Sequence, residues 1–489
     1  VTLTVTSGTT VLSETEEVYV STCTPIANEQ GNWVFGYGME INFSSGSPTP
    51  IGTAALASTP IQTLESAVSV SDQSGNLLFY TDGNTLWNNS YVVTATNLNP
   101  LPASPNSITS VNQIAYCPDP GNSNQFYVFV PPSSEDYFYN NADFRYFVVD
   151  AAGNLVSGPF LLTIPFGYGY SEAIGVVPHC NGEDFWVILH SDYTAATPRF
   201  FSYLVTSNGI TNGNQTTPYS TVFSPDPATI PDISIPFTKA ARDAGTNIEI
   251  NRKGNKISLG GLWGQATIYD FDKSNGQVLN EVNTSSSHWF TTQTCFSPSG
   301  EYLYSTGTTN NYISKISKLK LDGTLIQEMA IYGRPWSIQL GPDNKIYLSG
   351  RGDNYNGNDF ISCIPNPNEI NSNFILEAVS FSQINANNSL NINSSILSSI
   401  PNMIDALPPS QVAMDFDYTI TNCDEVSFDA VQCSPSYSWD FDDPNSGSDN
   451  TSSLENPTHI FSSSGTYNVV LTGAGQTIVK NILIDSLNF

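Results

Sequence analysis

Positive charge is scarce in this chain. Its 489 residues hold 15 Lys and Arg against 44 Asp and Glu, a formal net charge of −29 and a pI near 4.1. Such a surface repels phosphate backbones and anionic lipid heads, so nucleic acid and membrane insertion are set aside as partners. Charge of either sign is sparse, at 12% of residues. No apolar run approaches the length of a membrane span. No amphipathic stretch is long enough to anchor a helical domain, and the nearest candidate, 394–407, is broken by Pro401. The patterns H-E-x-x-H, G-x-S-x-G and P-loop are missing. None of the 7 cysteines has C-x-x-C spacing, which argues against zinc.

What is abundant is Ser, Thr, Asn and Gly together with 24 Tyr and 26 Phe, a composition that suits an extracellular β-rich protein. One unit recurs: a β-prone run, a tight polar turn, then an aromatic or aliphatic run. It appears at 69–83, 114–130, 175–190, 248–261, 294–307 and 338–350. The flanks alternate with period two and the centres carry Gly, Pro, Asn or Asp, the signature of a hairpin. A further strand pair follows each hairpin, as at 144–158 and 266–279. Hairpins repeating at this spacing predict the four-stranded blades of a β-propeller over 31–407.

Six full units are visible. Residues 33–51 read as a further blade lacking its innermost strand, which 394–407 would supply, giving seven blades; six is the alternative if 33–51 packs on the side. Residues 1–30 form a strand-prone leader, read as an edge strand on the propeller or the tail of a preceding domain. The sharper alternative is an assembly strand, with Leu3 and Val5 at its centre, that adds to a neighbouring copy. A start at Val1 fits a processed product. Residues 408–489, after the hinge at Pro408 and Pro409, read as a small β-sandwich. The expected fold is therefore all-β: a seven-bladed propeller followed by an immunoglobulin-like sandwich. Cys423 and Cys433 are close enough in sequence for a small disulfide loop. Cys117 and Cys180 fall near turns of consecutive hairpins, and Cys295 and Cys363 read as buried strand thiols.

The last region carries Tyr437-Ser438-Trp439-Asp440-Phe441-Asp442-Asp443, then Asn456-Pro457-Thr458-His459-Ile460-Phe461, then Gly465-Thr466-Tyr467-Asn468-Val469. It resembles a PKD domain, with Asp442 and Pro444 standing at two usual glycine positions. Further segments are Trp33-Val34-Phe35-Gly36, Ser71-Asp72-Gln73-Ser74-Gly75-Asn76 with Leu86-Trp87-Asn88, and Ile400-Pro401-Asn402-Met403-Ile404. These resemble propeller-plus-PKD surface proteins of Bacteroidetes associated with gliding motility and type IX secretion. The resemblance implies a secreted or cell-surface protein with adhesive or scaffolding modules.

Candidate sites are few. Asp440, Asp442 and Asp443 crowd one loop and could hold Ca²⁺, or serve as turn residues that bond backbone amides. Tyr168, Tyr170, Trp263, Trp289 and Trp336, with His288, lie near repeat hairpins, where aromatics stack on sugar rings or fill blade interfaces. The expected partners are surface glycans or other surface proteins, with self-association as a further option. The function expected first is a non-catalytic adhesin or scaffold. A self-assembling filament or surface-layer subunit, and a secreted polysaccharide hydrolase, are the alternatives.

Overall fold

The computed structural model describes residues 2–7, 10–15, 30–51, 61, 66–99, 113–131, 144–162, 170–191, 200–216, 245–381, 400–407 and 412–484, omitting 37, 212–213, 262–264, 289, 310–312, 332–333, 352–359, 402, 405 and 422–423.

Between residues 32 and 380 the described residues form seven antiparallel sheets in sequence order. Sheet 1 holds Asn32–Phe35, Met39–Asn42 and Thr49–Ile51. The other six begin at Val68, Ala115, Tyr170, Gly245, Phe290 and Arg334, and each pairs four strands in chain order. Sheet 4 adds a short fifth strand, Asn214–Thr216. The turns follow the predicted chemistry. Asp72 Oδ1 accepts the backbone N–H groups of Ser74 and Asn76, both at 2.8 Å, while Gly75 takes φ +83°. Asp150 does the same for Ala152 and Asn154, and Asn251 for Asn255 and Lys256. A side-chain oxygen thus satisfies the turn amides that no ladder can reach.

Apolar side chains fill every gap between consecutive sheets. Phe79 shares a cluster with Val128 and Phe147, Phe129 with Val176, and Ile188 with Ile257. Ile268 clusters with Leu303, and Tyr304 with Ile346. Trp33, Ile41 and Phe43 of sheet 1 share a cluster with Tyr347, Ile361 and Val379 of sheet 7 and with Tyr80 and Trp87 of sheet 2. The last sheet therefore closes on the first, and the arrangement is a β-propeller. Buried polar side chains stitch the innermost strands. Gln113 Oε1 accepts from Ile174 N–H at 2.9 Å and Ile248 N–H at 2.8 Å. Asn247 Oδ1 accepts from Thr294 N–H at 3.1 Å, and Gln293 Oε1 from Ile338 N–H at 3.1 Å.

Two expectations about the chain ends fall partly outside the described residues. Among the described residues sheet 1 has no strand inside Asn32–Phe35, and the described part of 394–407 forms no strand; 394–399 lie outside the described residues. Pro401 has no N–H to donate to a ladder. The leader adds to no propeller sheet among the described residues. Thr2–Ser7 pairs with Thr10–Thr15, with Leu3 opposite Glu14 and Val5 opposite Leu12.

The C-terminal unit is a sandwich of two sheets. One holds Phe416–Ile420, Glu425–Ala430 and Thr458–Ile460; the other holds Thr451–Ser452, Tyr437–Asp440, Gly465–Gly473 and Gln476–Ile484. Phe416, Phe428, Trp439, Phe441, Phe461, Val469 and Leu471 are buried between them. The predicted Cys423–Cys433 bridge is also corrected. Cys433 is bonded to Cys180, with Cα atoms 5.5 Å apart and 253 residues between them in sequence. Cys423 lies outside the described residues. Cys117, Cys295 and Cys363 are buried thiols outside that bridge, as read for the last two.

Candidate functional site

The meander gives the propeller two unlike ends. At one end lie the tight turns joining first to second and third to fourth strands, such as 72–76, 251–255 and 273–276. At the other the chain leaves second strands at Val130, Ser191, Gly261, Thr308 and Arg351, and passes from sheet to sheet. The first is the turn end and the second the loop end.

The turn end is covered by the chain itself. Ile400 N–H donates to Ser337 Oγ at 3.3 Å in sheet 7, and Met403 joins the cluster of Trp33 and Tyr347. Ile404 packs against the clusters between sheets 2 and 3 and between sheets 3 and 4, and its carbonyl accepts from Gln30 Nε2 at 2.6 Å. Ala406 packs between sheets 4 and 5, and Leu407 N–H donates to Arg252 C=O at 2.8 Å. The described residues of 400–407 thus form a strap across the axis. What remains between Met403, Ile404 and the strands carrying Tyr116, Gly175 and Glu249 is a cavity of about 10 Å³, the room of a single water. The sandwich is tied over the same end. Cys433 bonds Cys180 in the turn of sheet 4, and the Asp272 carboxylate of sheet 5 contributes to raising the Tyr437 phenol, mainly raised by burial.

At the loop end the sequence places the aromatic candidates. Tyr170 opens the innermost strand of sheet 4, and Trp336 lies near the start of that of sheet 7. Trp263 follows the strand Lys256–Gly261, and Trp289 directly precedes Phe290–Phe296. Tyr168, Trp263 and Trp289 lie outside the described residues, as do the side chains of Tyr170 and Trp336. Every described strand terminus beside them belongs to the loop end. His288 is a core residue instead. Its Nδ1 lies 3.1 Å from Ser305 Oγ and its Nε2 3.2 Å from Ser317 Oγ, and burial pulls its pKa down to about 4.

The three acidic candidates of the sandwich, Asp440, Asp442 and Asp443, each have their own partners. Asp440 Oδ1 accepts from Asp442 N–H and from Asn450 Nδ2, both at 3.0 Å. Asp442 takes φ +56°, the left-handed conformation the usual glycine would adopt, and its Oδ2 accepts Asn468 N–H at 3.0 Å. Asp443 is buried; its carboxylate accepts Ser462 N–H at 2.8 Å and Ser462 Oγ–H at 2.5 Å, and His459 Nε2 lies 3.2 Å away. Despite the cost of burial, these donors hold its pKa below the usual carboxylate range. No cluster of His, Cys, Asp and Glu fit for a metal occurs among the described residues.

Residues 407–480 match the family model of the PKD domain, so the C-terminal sandwich is a PKD domain. No curated protein sequence matches the chain. Among solved structures, a candidate 6-phosphogluconolactonase of Bacteroides fragilis is 10% identical, with 76% of this chain and 96% of that one covered and a TM-score of 0.46. The Dos1 propeller is 12% identical, covering 81% and 74%, with a TM-score of 0.37. TolB from Acinetobacter baumannii is 10% identical, covering 74% and 78%, with a TM-score of 0.34.

Proposed function

We propose that this chain is a secreted or cell-surface binding module, adhesive or scaffolding rather than catalytic, which takes its ligand at the loop end of the propeller. One observation carries the reading: the turn end is closed by the strap 400–407 and the disulfide-tied PKD domain, which leaves the loop end to face a partner. The Cys180–Cys433 bond supports an oxidising, extracytoplasmic setting. No helix among the described residues is long and apolar enough to cross a membrane. The connections at the loop end carry aromatic residues, Tyr137, Phe138 and Tyr139 in 131–143 and Trp263 in 262–266, and the first also carries Glu135, Asp136 and Asp143. Such aromatics suit stacking on sugar rings, with Ser133, Ser134, Asn140 and Asn141 beside them for adaptable hydrogen bonding. The motif resemblance to gliding and type IX surface proteins of Bacteroidetes supports a surface glycan or surface protein as ligand.

The test is a glycan array followed by calorimetry. Wild type is expected to bind a surface glycan, and Trp263→Ala and Trp289→Ala each to weaken binding by about tenfold, the scale of one lost aromatic stack. Unchanged binding by both variants, or turnover of a polysaccharide, overturns the reading.

A further inference from the structure

Propeller and sandwich differ in how their sheet edges are guarded. The outer strand Leu155–Leu161 carries Pro159 and two register shifts. Gln277–Asn283 and Leu325–Ala330 each carry a shift and a glutamate, and Ile375–Ser380 carries a shift and Glu377 at φ +56°. Val93–Ala95 is only three residues long. Short strands, proline, bulges and charges are the devices that keep edges from pairing with foreign strands.

Gln476–Ile484 has none of these guards except Lys480. Among the described residues it is an edge strand of nine residues, paired without interruption to Gly465–Gly473. A two-residue turn, Ala474 and Gly475 at φ +47° and +75°, makes Gly473 and Gln476 a hydrogen-bonded pair. Period two then turns the N–H and C=O of Thr477, Val479, Asn481 and Leu483 to the open edge. Val479 and Leu483 are also 52% and 62% exposed. At the other terminus of the chain stands the complement. The hairpin of Thr2–Ser7 and Thr10–Thr15 has no third strand among the described residues, and a lone two-stranded hairpin is marginal in water. By the same register argument, Thr2, Thr4 and Thr6 turn their backbone groups outward. In a chain of net charge −29, neither Thr2–Ser7 nor Gln476–Ile484 carries a single acidic residue, so the two strands meet without repulsion.

We infer that the strand Thr2–Ser7 of one copy adds to the open edge Gln476–Ile484 of the next, a head-to-tail contact that propagates into a filament. The contact is independent of ligand binding at the loop end, so loss of glycan binding would leave it standing.

Sedimentation velocity and electron microscopy of the purified chain test it. Wild type is expected to form polymers that grow with concentration. Thr4→Pro and Val479→Pro each remove an outward N–H while leaving the inner ladder intact, and each should be monomeric alone. Mixed in equal amounts they should give heterodimers that do not grow, because each retains the half the other lacks. Should Val479→Pro unfold the sandwich by circular dichroism, Val479→Lys takes its place and blocks the edge by charge. A wild type that stays monomeric at all concentrations overturns the inference. So does polymerisation by Thr4→Pro alone, which would mean that the edge pairs with itself.

Discussion

His190 and His288, 3% and 4% exposed, couple this fold to acidity. Burial pulls their pKa values to about 3 and about 4, below the ordinary value near 6.5. The folded state therefore binds fewer protons than the unfolded one. The stability this represents is fully present above pH about 6.5 and drains away as pH falls toward 4, by up to about 1.4 kcal/mol per pH unit for each ring. Asp82 has the opposite sign. Burial raises its pKa to about 6, so its contribution is present below its unfolded value and is lost as pH rises through about 6. It offsets only part of two histidines. The melting temperature should fall between pH 7 and pH 5, and His190→Phe should flatten that slope. A flat wild-type profile, or an equally steep variant, would refute the assignment. At this scale the sequence is uneven as a guide. Asp442 at a glycine position was readable as a turn residue, because aspartate tolerates the left-handed region. The buried role of Asp443 was not, since its partners Ser462 and His459 arrive through the fold.

Hairpins were the legible elements, because turn chemistry and period-two alternation are local. The packing of one hairpin on the next is not local, and Gly323 shows the difference. Its φ of +82° is an ordinary turn requirement, readable from the Asp-Gly pair. Its neighbour is not readable: a Cβ there would lie 2.3 Å from the carbonyl oxygen of Asn283, at the end of the outer strand of sheet 5. The same turn is held by Gly323 C=O, which accepts from Ser285 N–H at 2.9 Å. Gly323→Ala must therefore shift backbone against backbone, at about 2–4 kcal/mol from the left-handed penalty plus overpacking. Gly209→Ala serves as the control. Its φ is +98° but nothing lies within 4 Å of the added carbon, so it should cost about 1–2 kcal/mol. Chemical denaturation separates the two, and equal losses would mean that the sheet 5 to sheet 6 contact yields freely. The strap 400–407 escaped sequence reading for a related reason. Its apolar residues suit an inner strand equally well until Pro401 and the carbonyl of Arg252 decide between strand and crossing.

The whole molecule is where sequence fell shortest and where one bond matters most. Propeller and PKD domain were both visible, each from its own repeats and motif, but their relation was not. Cys433 is ten residues from Cys423 and 253 from Cys180, and nearness in sequence favoured the wrong partner. Loop closure entropy grows only logarithmically with length, so a long-range bridge is hardly disfavoured once the fold brings its ends together. The bridge also restrains the unfolded chain more than a short one would, and its removal should cost about 2–5 kcal/mol. Cys180→Ser with Cys433→Ser should leave both β units folded by circular dichroism, because each keeps its own core. The strap, with its bond to Arg252, would still hold the chain to the turn end. X-ray scattering should show a larger radius of gyration, and calorimetry should resolve two transitions where wild type gives one. A reducing agent should reproduce both effects in the wild type. An unchanged scattering profile in the double variant would mean that non-covalent contacts alone fix the PKD domain over the turn end. The disulfide would then stabilise the arrangement without defining it.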